Sequence, residues 1–285
     1  MFAHALETVR AAEETAARTG DVNAALAALR RLGLDDFGQF VIGLPDPSFP
    51  RLSALLPAMA AEEIQTKWTG SSGVTLLRQT LAFTWIVRER FHSLAGRPAP
   101  GARILDFGCG YGRILRLMYY FSDPDRIFGV DAWDRSLDIC RADRVLGNLA
   151  RSEPTPEALP VADGSIDLAY AFSVFTHLAE PTARAAFAAV HRAMAPDGVF
   201  FATVRPAEFW QFRDQAHKTG DAPRCMADHA AGGFAYVGHN GPEGATYGDA
   251  SISFDWLRRL PGWRFAGYER SLLDPYQVVA ALRPC

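Results

Sequence analysis

The chain is poor in cysteine. Among its 285 residues only Cys109, Cys140, Cys225 and Cys285 occur, and no two stand at C-x-x-C spacing. Four thiols in so long a chain make no disulfide framework, which points to a reducing, cytoplasmic setting. Long apolar runs are missing too. A membrane span needs about 18 consecutive apolar residues, and no such run is present, so no membrane partner is expected. Basic excess is absent: 29 Lys and Arg stand against 32 Asp and Glu, a net charge of −3. That balance argues against a nucleic-acid partner. The opening stretch, MFAHALETVRAAEE, carries acids in its first turns and does not read as a leader. What remains is ordinary globular material. With 49% hydrophobic and 21% charged residues, wholesale disorder is excluded, and the length suits one or two domains.

Residues 1–96 read as a helical extension and 97–285 as a second domain. Amphipathic stretches over about 3–18 and 23–32 predict two helices, and 35–50, with three prolines, reads as turns. A helix is expected over about 51–67 and another over 73–94, capped by Ser71 or Ser72. Val74, Leu77, Leu81 and Trp85 should form the buried stripe of that last helix. After the break GRPAPG at 96–101 the pattern changes. Strands are predicted at 103–107, 126–130, 166–171 and 199–204, and helices at 111–121, 135–143 and 181–194. Pro196-Asp197-Gly198 reads as a turn, and further strand-like runs follow at 264–268 and 277–282. Strands alternating with helices predict an α/β fold with a mostly parallel sheet.

The most informative stretch is Ile104-Leu105-Asp106-Phe107-Gly108-Cys109-Gly110-Tyr111-Gly112-Arg113. An apolar strand runs into G-x-G-x-G, where glycine lets the backbone turn sharply against a ligand. The dinucleotide pattern G-x-G-x-x-G would need its third glycine at Arg113, and no G-x-x-x-x-G-K-[ST] string occurs. Asp106, just ahead of the glycines, would repel a phosphate and suits an amine or a sulfonium. Asp131 follows Gly112 by 19 positions and closes the next strand. An acid there is placed to accept both hydroxyls of a ribose. The plainer readings are a helix cap for Asp131 and a tight turn for the glycines.

ILDFGCGYGR, FGVDA, ADGSIDLAYAFSVFTHL and RAMAPDGVFFATV closely resemble, in this order, four blocks of the class I S-adenosylmethionine-dependent methyltransferases. The resemblance covers about 101–204. It implies a Rossmann-like, doubly wound seven-stranded sheet whose last strand inserts antiparallel beside the fifth. It implies S-adenosyl-L-methionine as cofactor, with Phe107, Gly108, Cys109, Gly110, Gly112 and Arg113 forming its loop. Asp106 would lie near the amino group, Asp131 at the ribose, and Ala132 and Trp133 beside the adenine. Phe172 and Ser173 would lie below the transferred methyl. Relatives often place an acid shortly before Leu-Pro to bind the adenine amine; here Thr155 holds that place before Leu159-Pro160.

Methyl transfer from a sulfonium is an in-line displacement, in which the protein mainly positions the acceptor and excludes water. An acceptor that must lose a proton gains from a nearby base. His177, just after the fourth strand, is the candidate base; alternatively it is structural and bonds a backbone carbonyl. The insert at 205–250, rich in Gly, His and aromatic residues, is expected to build the acceptor pocket, with Tyr236 and His239 as further candidates. Together with the helical extension it should roof the carboxyl edge of the sheet. Trp68, Thr69 and Gly70 either close over the cofactor as a lid or, through Trp68, anchor the core. Cys225, His229 and His239 match no ordinary zinc spacing, so no metal is expected.

The function these features predict is methylation of an oxygen or nitrogen of a small organic acceptor, sugar-related or a secondary metabolite. A non-catalytic S-adenosylmethionine-binding partner or sensor, or an aminopropyl transferase, would share the loop. Nucleic-acid methylation is disfavoured, because Ala171-Phe172-Ser173-Val174 stands where an Asn/Asp-Pro-Pro-aromatic string would be. A homodimer is left open.

Overall fold

From residue 104 onward short apolar runs alternate with helical ones, and the computed structural model, which describes residues 3–285, folds them as an α/β sheet. The elements in order are α1 (Ala3–Thr19), α2 (Val22–Leu29), α3 (Leu34–Ile42), α4 (Pro50–Leu55), α5 (Glu62–Thr69), α6 (Gly73–Ala95), β1 (Ile104–Phe107), α7 (Leu115–Met118), β2 (Ile127–Asp131), α8 (Asp134–Ala142) and β3 (Asn148–Arg151). There follow β4 (Ile166–Ala171), α9 (Glu180–Ala193), β5 (Met194–Val204), α10 (Phe209–His217), α11 (Ala222–Gly232), β6 (Phe234–Gly238), β7 (Gly248–Ile252), α12 (Phe254–Arg258), β8 (Trp263–Arg270) and β9 (Val278–Pro284). Seven strands form one sheet in the order β3-β2-β1-β4-β5-β9-β8. β1 pairs parallel with β2, β2 with β3, and β4 with β5, while β9 lies antiparallel between β5 and β8. This is the doubly wound class I arrangement, reversed last strand included. No described helix is long and apolar enough to cross a membrane.

The chain divides into two compact units. The first runs to Glu89 and resumes over Pro98–Arg151; the second comprises Arg90–Arg97 and Ser152–Cys285. In this division α1–α5 fall in one unit with β1–β3.

In the first unit the expected helix over 51–67 is two helices, α4 and α5. Leu56 is extended (ψ 154°) because Pro57 disfavours helical backbone in the residue before it. The region 35–50, read as turns, begins with most of α3. Leu34, Phe37, Phe40 and Val41 repeat at helical spacing and are buried, and the prolines all come later. The helical run over 111–121 shrinks to the four residues of α7, and β3 was not foreseen. The buried face of α6 is Leu76, Thr80, Phe83, Val87 and Phe91 rather than the stripe through Val74, which is 73% exposed. Ser71 does not cap α6; its hydroxyl donates to Gln79 Oε1 at 3.0 Å. The wholly buried Arg116 guanidinium fastens this unit, donating from Nε and Nη2 to the Ala58 carbonyl (3.1 and 2.5 Å) and from Nη1 to that of Tyr111 (2.6 Å).

In the second unit β5 starts at Met194, earlier than predicted. Pro196-Asp197-Gly198 is not a turn ahead of the strand but an irregularity within it: Ile166 pairs with Met194 and Leu168 with Val199. The insert is a folded layer with its own core. Phe209, Trp210, Ala222, Cys225 and Ala235 pack together, and the β6–β7 hairpin covers the segment after β4 through Gly248 N–H to His177 O (2.7 Å) and Ala250 N–H to Thr176 O (2.8 Å).

Candidate functional site

β1 delivers the glycine loop at its carboxyl end. Gly108, Gly110 and Gly112 take φ of 77°, 55° and 73°, where a side chain would be strained. The N–H groups of Gly108 and Cys109 donate to Val130 O (2.8 and 3.0 Å), that of Gly112 to Cys109 O (2.8 Å), and that of Gly110 to Asp131 Oδ2 (2.8 Å). These four donors are satisfied internally, so they form no phosphate-cradling nest. The loop fits a ligand recognised by its hydroxyls and positive charge, which is the chemistry of S-adenosylmethionine.

Asp131 ends β2. Its Oδ1 also accepts the Trp133 N–H at 2.9 Å. Burial raises its pKa above the usual aspartate value, and the N–H groups of Trp133 and Gly110 oppose that shift. A carboxylate has roughly four lone-pair sites, so acceptor capacity remains for ribose hydroxyls. It is not the N-cap of α8; Trp133 occupies that place.

Trp68, at the end of α5, stands edge-on to Tyr111 (5.9 Å) and to Trp133 (6.2 Å). A Cβ on Gly110 would lie 4.0 Å from its ring, so Trp68 covers the loop. Gly70 supplies the left-handed residue that ends α5, and Thr69 Oγ1 donates to Gln65 O at 2.6 Å. Trp133 is 52% exposed; Ala132, beside it, is half-buried. Asp106 and Phe107 are buried. Arg113, predicted to face the cofactor, is buried and donates to Thr80 Oγ1 of α6 at 3.2 Å. The Cys109 thiol is held well above its usual pKa by its hydrogen bond with Cys140 and by burial, which disfavours the thiolate.

The second cluster follows β4. Ser173 has φ 60°, rare for a residue with a side chain, beside the half-buried Phe172. Its N–H donates to Thr203 Oγ1 (2.7 Å) and its Oγ accepts from Gln277 Nε2 (3.0 Å). His177 Nδ1 lies 2.7 Å from Gly248 O, which can only accept, so Nδ1 carries the proton and Nε2 is the acceptor. Arg205 Nη2 lies 3.4 Å from that Nε2. Burial, then the Arg205 charge, lowers the His177 pKa to about 4. The carbonyl bond required by the structural alternative is thus present, and the ring is a weak base at neutral pH.

Asp249 on β7 binds two guanidinium groups, Arg205 Nη1 at Oδ1 (2.7 Å) and Arg213 Nε at Oδ2 (2.8 Å). His239 Nε2 stands 3.9 Å from Asp249 Oδ2, and the His177 ring stacks on Tyr247 at 5.1 Å. His177, His239 and Asp249 each offer a ligand atom, all within 4.8 Å of one another. A cation there would have to share the Asp249 carboxylate with two guanidinium groups. Of the residues weighed for zinc, Cys225 is buried in the insert core and His229 Nδ1 is hydrogen-bonded to Ser251 Oγ (2.8 Å). Tyr236 turns its hydroxyl to Gly244 O (2.8 Å), and Thr155 bonds Thr182 (3.2 Å). Sequence reasoning missed Arg205, Arg213 and Gln277, which only the fold brings to Asp249 and Ser173.

Residues 105–202 match the family described as methyltransferase domain. The sterol 24-C-methyltransferase of Schizosaccharomyces pombe is 26% identical over 148 residues, 50% of this chain and 38% of that protein. The chain thus spans well under half the length of this relative. Among solved structures, magnesium protoporphyrin IX methyltransferase from Synechocystis PCC 6803 with bound SAH is similar at a TM-score of 0.52 and 14% identity, covering 78% of this chain and 94% of that one. A protein from Pyrococcus horikoshii OT3 is similar at 0.50 and 11%, covering 79% and 100%. These structural likenesses are of fold. The family match covers the glycine loop and the first five strands of the sheet, and it supports a class I S-adenosylmethionine-dependent methyltransferase domain over those residues.

Proposed function

We propose that this protein is a cytoplasmic enzyme that methylates an oxygen or nitrogen of a small organic acceptor. The carrying observation is the glycine loop whose N–H groups are satisfied internally while Asp131, at the next strand end, keeps acceptor capacity. Asp131 would hold the ribose, Asp106 would favour the cationic methionine end, and Trp68 and Trp133 would flank the adenine. S-adenosylmethionine, when bound, supplies an already activated methyl group. The four unpaired cysteines support a reducing compartment.

On this reading the protein contributes position and exclusion of water rather than strong base catalysis. His177 is neutral and fixed by Gly248, and it orients the network of Arg205 and Asp249. Calorimetry tests the reading. S-adenosylmethionine and S-adenosylhomocysteine should bind in the micromolar range, about −8 kcal/mol. Binding of a nicotinamide dinucleotide with no binding of either would overturn it.

A further inference from the structure

The second unit contains a cavity of about 390 Å3, within the range of small-molecule sites. It lies beyond the carboxyl end of β5, between the start of α10 and the connection from β8 to β9. Phe209, Phe212 and Tyr276 make up much of its wall. Phe212 stacks on Tyr276 at 4.8 Å and 29°, and Phe209 meets Tyr276 edge-on at 6.0 Å. The Arg205 guanidinium covers the Phe209 ring at 4.0 Å.

Two polar side chains of the wall are already engaged. Arg205 Nη1 donates to Thr176 O (2.8 Å) and to Asp249 (2.7 Å). Gln277 Nε2 donates to Ser173 Oγ, while its Oε1 is buried without a hydrogen-bond partner. Arg205 and Asp274 bring opposite charges to the lining, so neither a cation nor an anion is selected. A polyol would lose hydration at many hydroxyls and find few partners. A flat ring gains from three aromatic neighbours.

Resting on the methyltransferase reading above, we infer that this cavity is the acceptor site and that its occupant is an uncharged aromatic molecule. Phe209, Phe212 and Tyr276 hold the ring. Ser173 follows β4 at the place expected to lie below the transferred methyl, and Gln277 ties it to the cavity wall. Of the connection at 271–277, sequence patterning predicts only Gln277 within a strand, yet residues 273–277 line more than half of the cavity.

The test is direct titration of three probes, 2-naphthol, its saturated analogue decahydro-2-naphthol, and methyl glucoside. Each is titrated into the full chain with and without S-adenosylhomocysteine. 2-Naphthol should bind at least tenfold tighter than either of the others. Phe212→Ala should weaken it about tenfold; Phe212 is 48% exposed, so the fold should survive. Tyr276→Leu should weaken it similarly. Equal binding of the saturated analogue, preference for the glucoside, or indifference to both substitutions would overturn the assignment. S-adenosylhomocysteine binding, measured separately, keeps the two readings apart. If it binds and 2-naphthol does not, the cavity assignment alone fails. If it does not bind, the methyltransferase reading fails, and the titrations without it still decide the cavity.

Discussion

The Asp131 carboxylate accepts the Gly110 N–H at 2.8 Å, tying the end of β2 to the loop after β1. The residue proposed to hold the ribose therefore also sets the shape of the glycine loop. Asp131→Ala should lower S-adenosylmethionine affinity at least tenfold, since hydrogen bonds to a charged group contribute about 1.5–3 kcal/mol each. Asp131→Asn, which keeps one carbonyl oxygen, should fall between the two. Calorimetry with a thermal melt separates lost binding from lost fold. Unchanged affinity in the Ala variant would leave Asp131 a purely structural tie.

Trp68 distinguishes a cover from an anchor. It is half-buried and meets two rings edge-on, each pair contributing about 0.5–1.5 kcal/mol. Trp68→Ala should weaken the cofactor about three- to tenfold with little change in Tm. A large fall in Tm with affinity intact would make Trp68 a core anchor.

His177 should be visible to pH. Its folded pKa is depressed to about 4 from an ordinary 6.5. A depressed value means that its contribution to stability is present above about pH 6.5 and is lost as the pH falls toward 4. Nitrogen NMR should find the ring neutral, with the proton on Nδ1, down to pH 5. His177→Asn should flatten the loss of stability over that window. If the ring titrates near 6.5 instead, its burial and its Gly248 bond are not maintained in solution. As a positioning residue rather than a base, His177 replaced by Ala should cost well under the 100-fold typical of a lost general base, with cofactor affinity unchanged.

Arg116 should matter for stability and not for chemistry. Its side chain is fully buried, and burial lowers its pKa. Arg116→Ala would leave the Ala58 and Tyr111 carbonyls without their donor, at about 1–3 kcal/mol each. Denaturant melts should show a loss of several kcal/mol. Arg116→Lys should recover only part of it, because one ammonium cannot reproduce the fork.

The α/β class, the strand over 166–171, the glycine loop and Asp131 were legible from residues alone. Each is written in a local pattern: a short apolar run, a glycine spacing, an acid at a strand end. Local pattern also contained α3, whose apolar spacing over Leu34–Val41 was outweighed by prolines that come only after it. The rest depended on tertiary structure. Arg205, Asp249 and His177 are far apart in sequence, and nothing local says that β7 lays Gly248 and Asp249 against the end of β4. Gln277 reaches Ser173 across 104 positions because β9 returns antiparallel beside β5. His177 looked like a base by its place in the chain. Burial beneath the hairpin and the neighbouring guanidinium hold it neutral, and desolvation is a property of the packed molecule that no stretch of sequence carries.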